Sequence, residues 1–287
     1  MGLEDRAEQA AVDRLRKVRG PEVFQPGWPA HVAAPQGNLV DGVFLKDFEA
    51  DFKLAAGHEL SARNGEPPKF CAARSSSALV VNTFGPFRHS PGHLKLLGLT
   101  GFRRAFFEHK CRTGLRTRSP PHLDFLAEAN DAVIGIESKF LEPWGAPGAA
   151  VFSPQYRKPF HGSADKPPVA EPPWSALYDD LVAAPDSYTR LDAAQLVKHY
   201  LGLKHSYPGK KRILMYLFWE PANARDFAEV AAHRDEVARL AQRVAGCDTR
   251  FVALSYRALW ADWERTSEWP GMAAHLARLR ERYHFKV

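Results

Sequence analysis

The sequence predicts a mixed α/β domain whose central sheet carries a β-hairpin at its middle. Short runs rich in aromatic and β-branched residues follow one another between residues 102 and 140, which is typical of consecutive strands. Residues 213–219 form an unbroken apolar run, which suits a central strand buried on both faces. Stretches with helical periodicity stand before and after these strands, and 287 residues are enough for one large domain or two small ones.

The N-terminal residues 1–65 are expected to form a helical extension. Apolar residues recur at helical spacing across residues 3–18 with charges between them, so this segment predicts an amphipathic helix. A connection rich in Pro and Gly follows it. Residues 39–60 then predict a second helical stretch.

The strands predicted after residue 102 are separated by turn residues, and their sequences are FRRAFFEHKC, HLDFLAEA and AVIGIESKF. Eight prolines in residues 143–173 predict a long Pro-rich loop, and loops of that length are usually functional or mobile. The remaining elements are expected to alternate, with a helix at 191–203, a strand at 213–219, a helix at 224–244, a strand at 251–256 and a closing helix at 269–283.

Composition and charge exclude several classes of protein. With 45% hydrophobic and 25% charged residues, the chain is neither disordered nor collagen-like. Its 39 Lys and Arg against 33 Asp and Glu give a net charge of +6, which permits a polyanionic partner without demanding one. The chain has no Gly-x-Ser-x-Gly elbow of a serine hydrolase and no Walker-type phosphate loop.

The three cysteines stand far apart and form no Cys-x-x-Cys pair. This argues against a disulfide framework or a structural zinc site and fits a reducing compartment. The N-terminus lacks the apolar segment of a signal peptide. No run approaches the ~18 apolar residues that a membrane span requires. We therefore expect a cytoplasmic protein with no membrane partner.

The residues of greatest chemical interest lie on the hairpin predicted for residues 121–140. If Asn130 and Asp131 form a two-residue loop, Asp124 faces Glu137 across the strands, and the opposite face of the hairpin is uniformly apolar. Directly opposed side chains have Cβ atoms about 5 Å apart, so two carboxylates there repel each other. A divalent cation between them is one form of compensation, and hard oxygen ligands suit Mg²⁺.

Two further side chains support this interpretation. Lys139 follows Glu137 by two positions on the same strand face, close enough to orient a metal-bound water. Gln195 lies on a polar stripe of the helix at 191–203, from which it could hydrogen-bond a water or phosphate oxygen. The alternatives are an exposed charge pair and a solvated helix face, because acid-x-Lys triplets are common. The chain has three of them, and only the third follows a strand with an Asp across a plausible hairpin.

Basic residues precede the hairpin with only Glu108 opposing them. They are Arg103, Arg104, Lys110, Arg112, Arg116 and Arg118. Such an excess interleaved with phenylalanines could contact phosphates, although a solvated strand edge would have the same composition.

Asp124, then Glu137-Ser138-Lys139 on the next strand, then a helix carrying Gln195, together resemble the PD-(D/E)XK nuclease superfamily. Its fold is that of type II restriction endonucleases. Further segments are similar to a bacterial family of restriction-endonuclease-like proteins, namely RSSSALVVNTFGPF, GIESKFLEPW, LDAAQLVKHYLGL, LMYLFWEP and FVALSYRALWADWE. They cover most of residues 70–265.

The resemblance implies a single nuclease-like domain over residues 1–287, with a restriction-endonuclease-like core at 70–265. That core is a central mixed β-sheet flanked by helices. Metal binding is implied for Asp124 and Glu137, and water orientation or charge stabilisation for Lys139. Gln195 would be the polar helix residue found in part of the superfamily. Leu123 stands where the motif's name has Pro, and His199 stands where some branches have Tyr.

The predicted activity is therefore that of a Mg²⁺-dependent endonuclease acting on DNA, with Mn²⁺ able to substitute, in a restriction or defence role. The residues expected to hold the DNA backbone are Arg112, Arg116, Arg118 and Lys198. A homodimer is one way for such an enzyme to cut both strands. Two alternatives remain: a catalytically silent nucleic-acid-binding scaffold of the same fold, and a metal-dependent phosphoesterase acting on small nucleotides.

Overall fold

The computed structural model describes residues 2–55, 59–115, 120–145, 148–163 and 166–287. The strands in these ranges are β1 (Phe24–Gln25), β2 (Trp28–Val32), β3 (Arg104–Lys110), β4 (His122–Glu128), β5 (Ala132–Lys139), β6 (Lys211–Phe218) and β7 (Thr249–Ser255). The α-helices are α1 (Leu3–Arg19), α2 (Glu49–Ala55), α3 (Ser76–Phe84), α4 (Arg157–His161), α5 (Pro172–Ala183), α6 (Ala193–Ser206), α7 (Ala228–Arg243), α8 (Tyr256–Thr266) and α9 (Met272–Tyr283).

Five of the strands form one mixed sheet in the order β3-β4-β5-β6-β7. Strand β4 pairs antiparallel with both β3 and β5, whereas β5, β6 and β7 run parallel to one another. The predicted mixed sheet flanked by helices is confirmed. The hairpin register is also as predicted, because Phe125 pairs with Ile136 and Ala127 pairs with Ile134. Strands β1 and β2 form a separate antiparallel ribbon.

Helices cover both faces of the sheet, each through its own apolar cluster. On one face α1, α3, α8 and α9 pack through residues such as Phe84, whose ring stacks on Phe125 at 4.4 Å. On the other face α5, α6 and α7 pack through residues such as Trp174, which stacks on Tyr200 at 4.3 Å. Because β5 and β6 are central and covered on both sides, their residues are almost all buried.

The prediction of a helix over residues 39–60 is wrong for most of that stretch. Only Glu49–Ala55 is α-helical, and residues 56–58 lie outside the described part of the chain. Gly42 adopts a φ of 84°, which ends any helical path there. The preceding backbone is held by Asn82 instead, whose Oδ1 accepts a hydrogen bond from the Val40 N–H at 2.8 Å. Leu39, Val40, Val43 and Phe48 are buried although they lie outside any α-helix, whereas Phe44 is exposed.

The Pro-rich segment 143–173 is more regular than the sequence predicts. It contains the short helix α4, and its last two residues are the first turn of α5, since Pro fits the start of a helix. Tyr156 and Phe160 bury their rings in the cluster on the α6 side of the sheet. No helix in the described ranges has both the length and the apolar character that crossing a membrane requires.

Candidate active site

The end of the β4–β5 hairpin carries the predicted carboxylates. The antiparallel ladder ends at the pair Phe125–Ile136. One step further, Asp124 Oδ2 accepts a hydrogen bond of 2.6 Å from the Ser138 N–H. Asp124 therefore binds the backbone between Glu137 and Lys139, rather than standing in a regular cross-strand pair.

Strand β4 is irregular at this point. Leu123 packs in the cluster on the α6 side, while Phe125 packs on the opposite face, so the side chains on either side of Asp124 do not alternate regularly. On β3 the neighbouring position is Glu108, which adopts a φ of 48° between the Phe107–Phe125 and His109–Leu123 pairs. A glutamate in the left-handed region is uncommon, and such outliers concentrate at functional sites.

Glu137 and Lys139 lie on the face of β5 that α6 covers. Lys139 Nζ is 2.6 Å from Glu137 Oε1 and donates a hydrogen bond of 2.8 Å to Gln195 Oε1. His199, one turn further along α6, places Nε2 2.8 Å from Glu137 Oε2. Both Glu137 and His199 are almost fully buried, with 2% and 1% of the side chain exposed. One acid thus contacts two basic side chains from two different elements.

Two glycines allow α6 to approach the sheet closely enough for these contacts. A Cβ on Gly135 would lie 2.5 Å from Leu123 Cδ1 and 3.1 Å from Leu203 Cδ2 on α6. A Cβ on Gly202 would lie 2.8 Å from the Cβ of Cys111. The start of α6 is fixed by Asp192, whose Oδ1 accepts a hydrogen bond from the Gln195 N–H at 2.8 Å.

The two carboxylates have pKa values shifted in opposite directions. Burial, followed by the negative charges of Glu137 and Glu108, raises the pKa of Asp124 well above its usual range. Burial alone would also raise the pKa of Glu137, but Lys139 and His199 outweigh it and hold that pKa below the ordinary value. Burial would lower the pKa of Lys139, yet the surrounding acids raise it. Lys139 is consequently a cation at neutral pH.

Ser138 points to the opposite face of β5. Its Oγ lies 2.6 Å from the hydroxyl oxygen of Tyr256, the first residue of α8. Both side chains are buried. This hydrogen bond joins α8 to the strand that carries the candidate catalytic side chains.

The site offers donors suited to a divalent metal but no complete protein cage. Asp124 and Glu137 supply carboxylate oxygens, and Glu137 Oε2 is buried without an aligned hydrogen-bond donor even though His199 Nε2 is close. Within the described ranges no three His, Cys, Asp or Glu side chains form a metal-ligand group. Mg²⁺ is commonly held by one or two carboxylates, with water and substrate phosphates completing its shell. The donor set fits that mode of binding.

Two of the predicted DNA-binding residues, Arg112 and Lys198, lie in the described part of the chain. The Arg112 carbonyl accepts a hydrogen bond from Ser206 Oγ at the far end of α6, and 11 residues at ~1.5 Å each place that end roughly 16 Å from Gln195. Lys198 Nζ lies 5.5 Å from the centre of the Phe152 ring. Arg116 and Arg118 lie outside the described residues.

Four side chains of the site were not assigned a role from the sequence. His199 could have been found, since it lies four residues after Gln195 and shares its helix face. Glu142, whose Oε2 accepts a hydrogen bond from the Phe140 N–H at 2.7 Å, adds negative charge near Lys139. Glu108 and Tyr256 reach the site only through sheet pairing and helix packing, so sequence spacing gives no signal for them.

Comparison with known proteins gives one match. A family model described as restriction endonuclease associating with ARP matches residues 4–284. No curated protein and no solved structure matches the chain.

Proposed function

Because the chain belongs to the family of restriction endonucleases associating with ARP, we propose that it is a Mg²⁺-dependent endonuclease that hydrolyses DNA phosphodiester bonds. The observation that supports this most directly is the convergence of four side chains at the end of one hairpin. Lys139 contacts both Glu137 and Gln195, and Asp124 binds the backbone of the residue between Glu137 and Lys139. This proximity supports a shared catalytic role for these residues.

Each residue has a role that its environment supports. Asp124 and Glu137 would hold a Mg²⁺ ion, which polarises a phosphoryl oxygen and lowers the pKa of bound water. Lys139 stays protonated because the surrounding acids raise its pKa, so it stabilises negative charge on the phosphate and does not act as a base. Gln195 accepts a hydrogen bond from Lys139 Nζ and so orients the ammonium group.

The proposal is tested by cleavage of plasmid and linear DNA with Mg²⁺, Mn²⁺ or EDTA. Wild-type protein should cut with either metal and not with EDTA. Asp124→Asn and Lys139→Gln should each lose at least about 100-fold in rate, the order of magnitude typical of removing one such charge-stabilising group. Lys53→Gln is the matched control, because Lys53 closes another acid-x-Lys triplet but pairs with Glu49 on the solvent-exposed side of α2. Equal activity in all four proteins would refute the assignment.

A catalytically silent nucleic-acid-binding scaffold is the second candidate. It is favoured by one observation: both carboxylate oxygens of Glu137 already lie within 2.6 and 2.8 Å of basic nitrogens, on Lys139 and His199. Salt-dependent DNA binding without metal-dependent cleavage would support it. Turnover of a small nucleotide but not of a polymer would indicate a phosphoesterase instead.

We also propose a homodimer as the arrangement for cutting both strands, which sedimentation of the protein with and without DNA would test.

A further inference from the structure

A cavity of about 810 Å³ lies at the carboxyl ends of the parallel strands β6 and β7. The helices α7, α8 and α9 contribute to its walls. We call it the Arg257 cavity, and the lining residues that matter here are Glu220, Arg225, Arg234, Arg257, Trp260 and His284. In open α/β sheets, ligands bind in the crevice outside the carboxyl ends of the strands.

Trp260, one of the residues that line the Arg257 cavity, carries an unsatisfied hydrogen-bond donor. Trp260 is 1% exposed, and its indole Nε1 is buried without an acceptor among the described residues. Buried polar groups are nearly always paired, so each exception calls for an explanation. A bound ligand with an acceptor oxygen would satisfy this donor.

The charges around the cavity favour an anion. Arg225 and Arg257 are exposed and form no ion pair with a described residue. The carboxylate of Glu220 is already neutralised by Arg234 through two hydrogen bonds of 2.6 and 2.8 Å. Burial, together with the positive charges of Arg257 and two further arginines, lowers the pKa of His284. The remaining acid of the lining, Asp226, accepts a hydrogen bond from Asn223.

Two residues that line the Arg257 cavity are sequence neighbours of residues that contact strand β5. Arg257 follows Tyr256, whose hydroxyl contacts Ser138 on β5. Glu220 follows Trp219, whose N–H donates a hydrogen bond of 2.9 Å to the Lys139 carbonyl. Neighbouring strands are about 4.8 Å apart, so β7 lies roughly 10 Å from β5 along the same edge of the sheet. A polymer bound at the carboxylates could therefore also reach the Arg257 cavity.

We propose that the Arg257 cavity binds a phosphate group, with Arg225 and Arg257 pairing its charge and Trp260 Nε1 donating to one of its oxygens. Arginine guanidinium groups are well suited to phosphate because they donate two parallel hydrogen bonds. The phosphate comes from the nucleic acid chain held at the active site, which is the part of the inference that rests on the proposed function. A free nucleotide offers the same chemistry, and the experiment separates the two sources.

The test measures binding without cleavage, in EDTA. The probes are a fluorescent 20-base-pair duplex, inorganic phosphate and a nucleoside monophosphate. Arg257→Gln should weaken duplex binding about three- to tenfold and reduce the slope of log affinity against log salt by about 0.9, the contribution of one phosphate contact. Trp260→Phe should weaken binding roughly tenfold, because it removes a hydrogen bond to a charged group. Because Phe is smaller than the buried indole, this variant should also lose some thermal stability, so its binding is measured at a temperature at which it is fully folded.

The control is Arg157→Gln on α4, which removes the same charge from an exposed arginine that forms no ion pair with a described residue. It should leave the salt slope unchanged. Loss of monophosphate or inorganic phosphate binding in Arg257→Gln, with duplex affinity unchanged, would assign the cavity to a free nucleotide. A wild-type protein that binds none of the probes, or an Arg225→Gln/Arg257→Gln variant that binds all of them as wild type does, would overturn the proposal. Because no metal is present, these outcomes do not depend on whether Asp124→Asn abolishes cleavage.

Discussion

Replacing Lys139 by Met should destabilise the protein by about 3 kcal/mol at neutral pH. The change removes the cation 2.6 Å from Glu137 Oε1 while keeping a side chain of similar length. Only 17% of Lys139 and 2% of Glu137 are exposed, so little water is available to replace the lost partner. Breaking a buried ion pair on one side costs about 3–5 kcal/mol. We expect the lower end because His199 stays 2.8 Å from Glu137 Oε2.

The destabilisation should depend on pH, with a sign that follows from the pKa of Glu137. In the wild type Lys139 and His199 hold this pKa below 4.5 against the effect of burial, so the stabilisation is present above pH 4.5 and is lost as pH falls through the folded value. Without Lys139 the effect of burial dominates and raises the pKa of Glu137. In the folded variant Glu137 then gains a proton as pH falls. The loss of stability relative to wild type should therefore be largest at pH 7.5 and smaller at pH 5.

The assay is urea unfolding of wild type, Lys139→Met, Glu137→Gln and the double variant at both pH values. The double variant should be less destabilised than Lys139→Met, since no unpaired charge is left buried. Lys53→Met is the control, because its exposed pair with Glu49 should contribute less than about 0.5 kcal/mol. A Lys139→Met deficit below about 1 kcal/mol that is equal at both pH values would refute the argument that Glu137 and Lys139 form a buried charge pair.

Three further substitutions test the packing around the site and the acid sensitivity of the fold. Gly135→Ala places a methyl group 2.5 Å from Leu123 Cδ1 and should lower the free energy of unfolding in urea by about 1–3 kcal/mol. DNA cleavage should fall in parallel, because α6 shifts. A variant as stable and active as wild type would show that α6 does not need this close approach. Tyr256→Phe leaves the buried Ser138 hydroxyl without its partner and should lower the free energy of unfolding in urea by about 1–2 kcal/mol. An unchanged urea midpoint would mean that the hydrogen bond is not formed. Burial lowers the pKa of His275 to about 4, so its stabilisation is present at neutral pH and is lost as pH falls from 6.5 towards 4. The stability of His275→Gln should therefore fall less steeply than that of wild type as the pH is lowered. An identical fall in both proteins would show that His275 does not cause the acid sensitivity.

The candidate site contains two energetically unfavourable features. Asp124 is held with a raised pKa beside other acids, and Glu108 occupies a left-handed backbone conformation in the middle of a strand. Natural proteins place such costly features at functional sites and compensate for them elsewhere. Here the compensation includes the apolar packing on both faces of β5. A cation bound at Asp124 would remove part of the remaining repulsion.

The sequence alone determined the sheet and the hairpin that carries the carboxylates. The register of β4 against β5 follows from alternating apolar residues and a two-residue loop, so all of its determinants lie within about 20 positions of one another. The same holds for β6, since a short unbroken apolar run is typical of a strand covered on both faces. Lys139 and Glu137 were recognisable because their spacing places them on one strand face.

Only the tertiary structure decided which distant side chains complete the site. The contacts of Glu137 with His199 and of Ser138 with Tyr256 join residues 62 and 118 positions apart, and they depend on how closely two helices pack against opposite faces of β5. The stretch at 39–60 shows the same limit, because its helical pattern is overridden by a turn at Gly42 and by a hydrogen bond from the Val40 N–H to Asn82 Oδ1. The local sequence pattern determines which face of a helix or strand is apolar, whereas tertiary packing determines which residues that face contacts. The chemistry proposed for this chain depends on both.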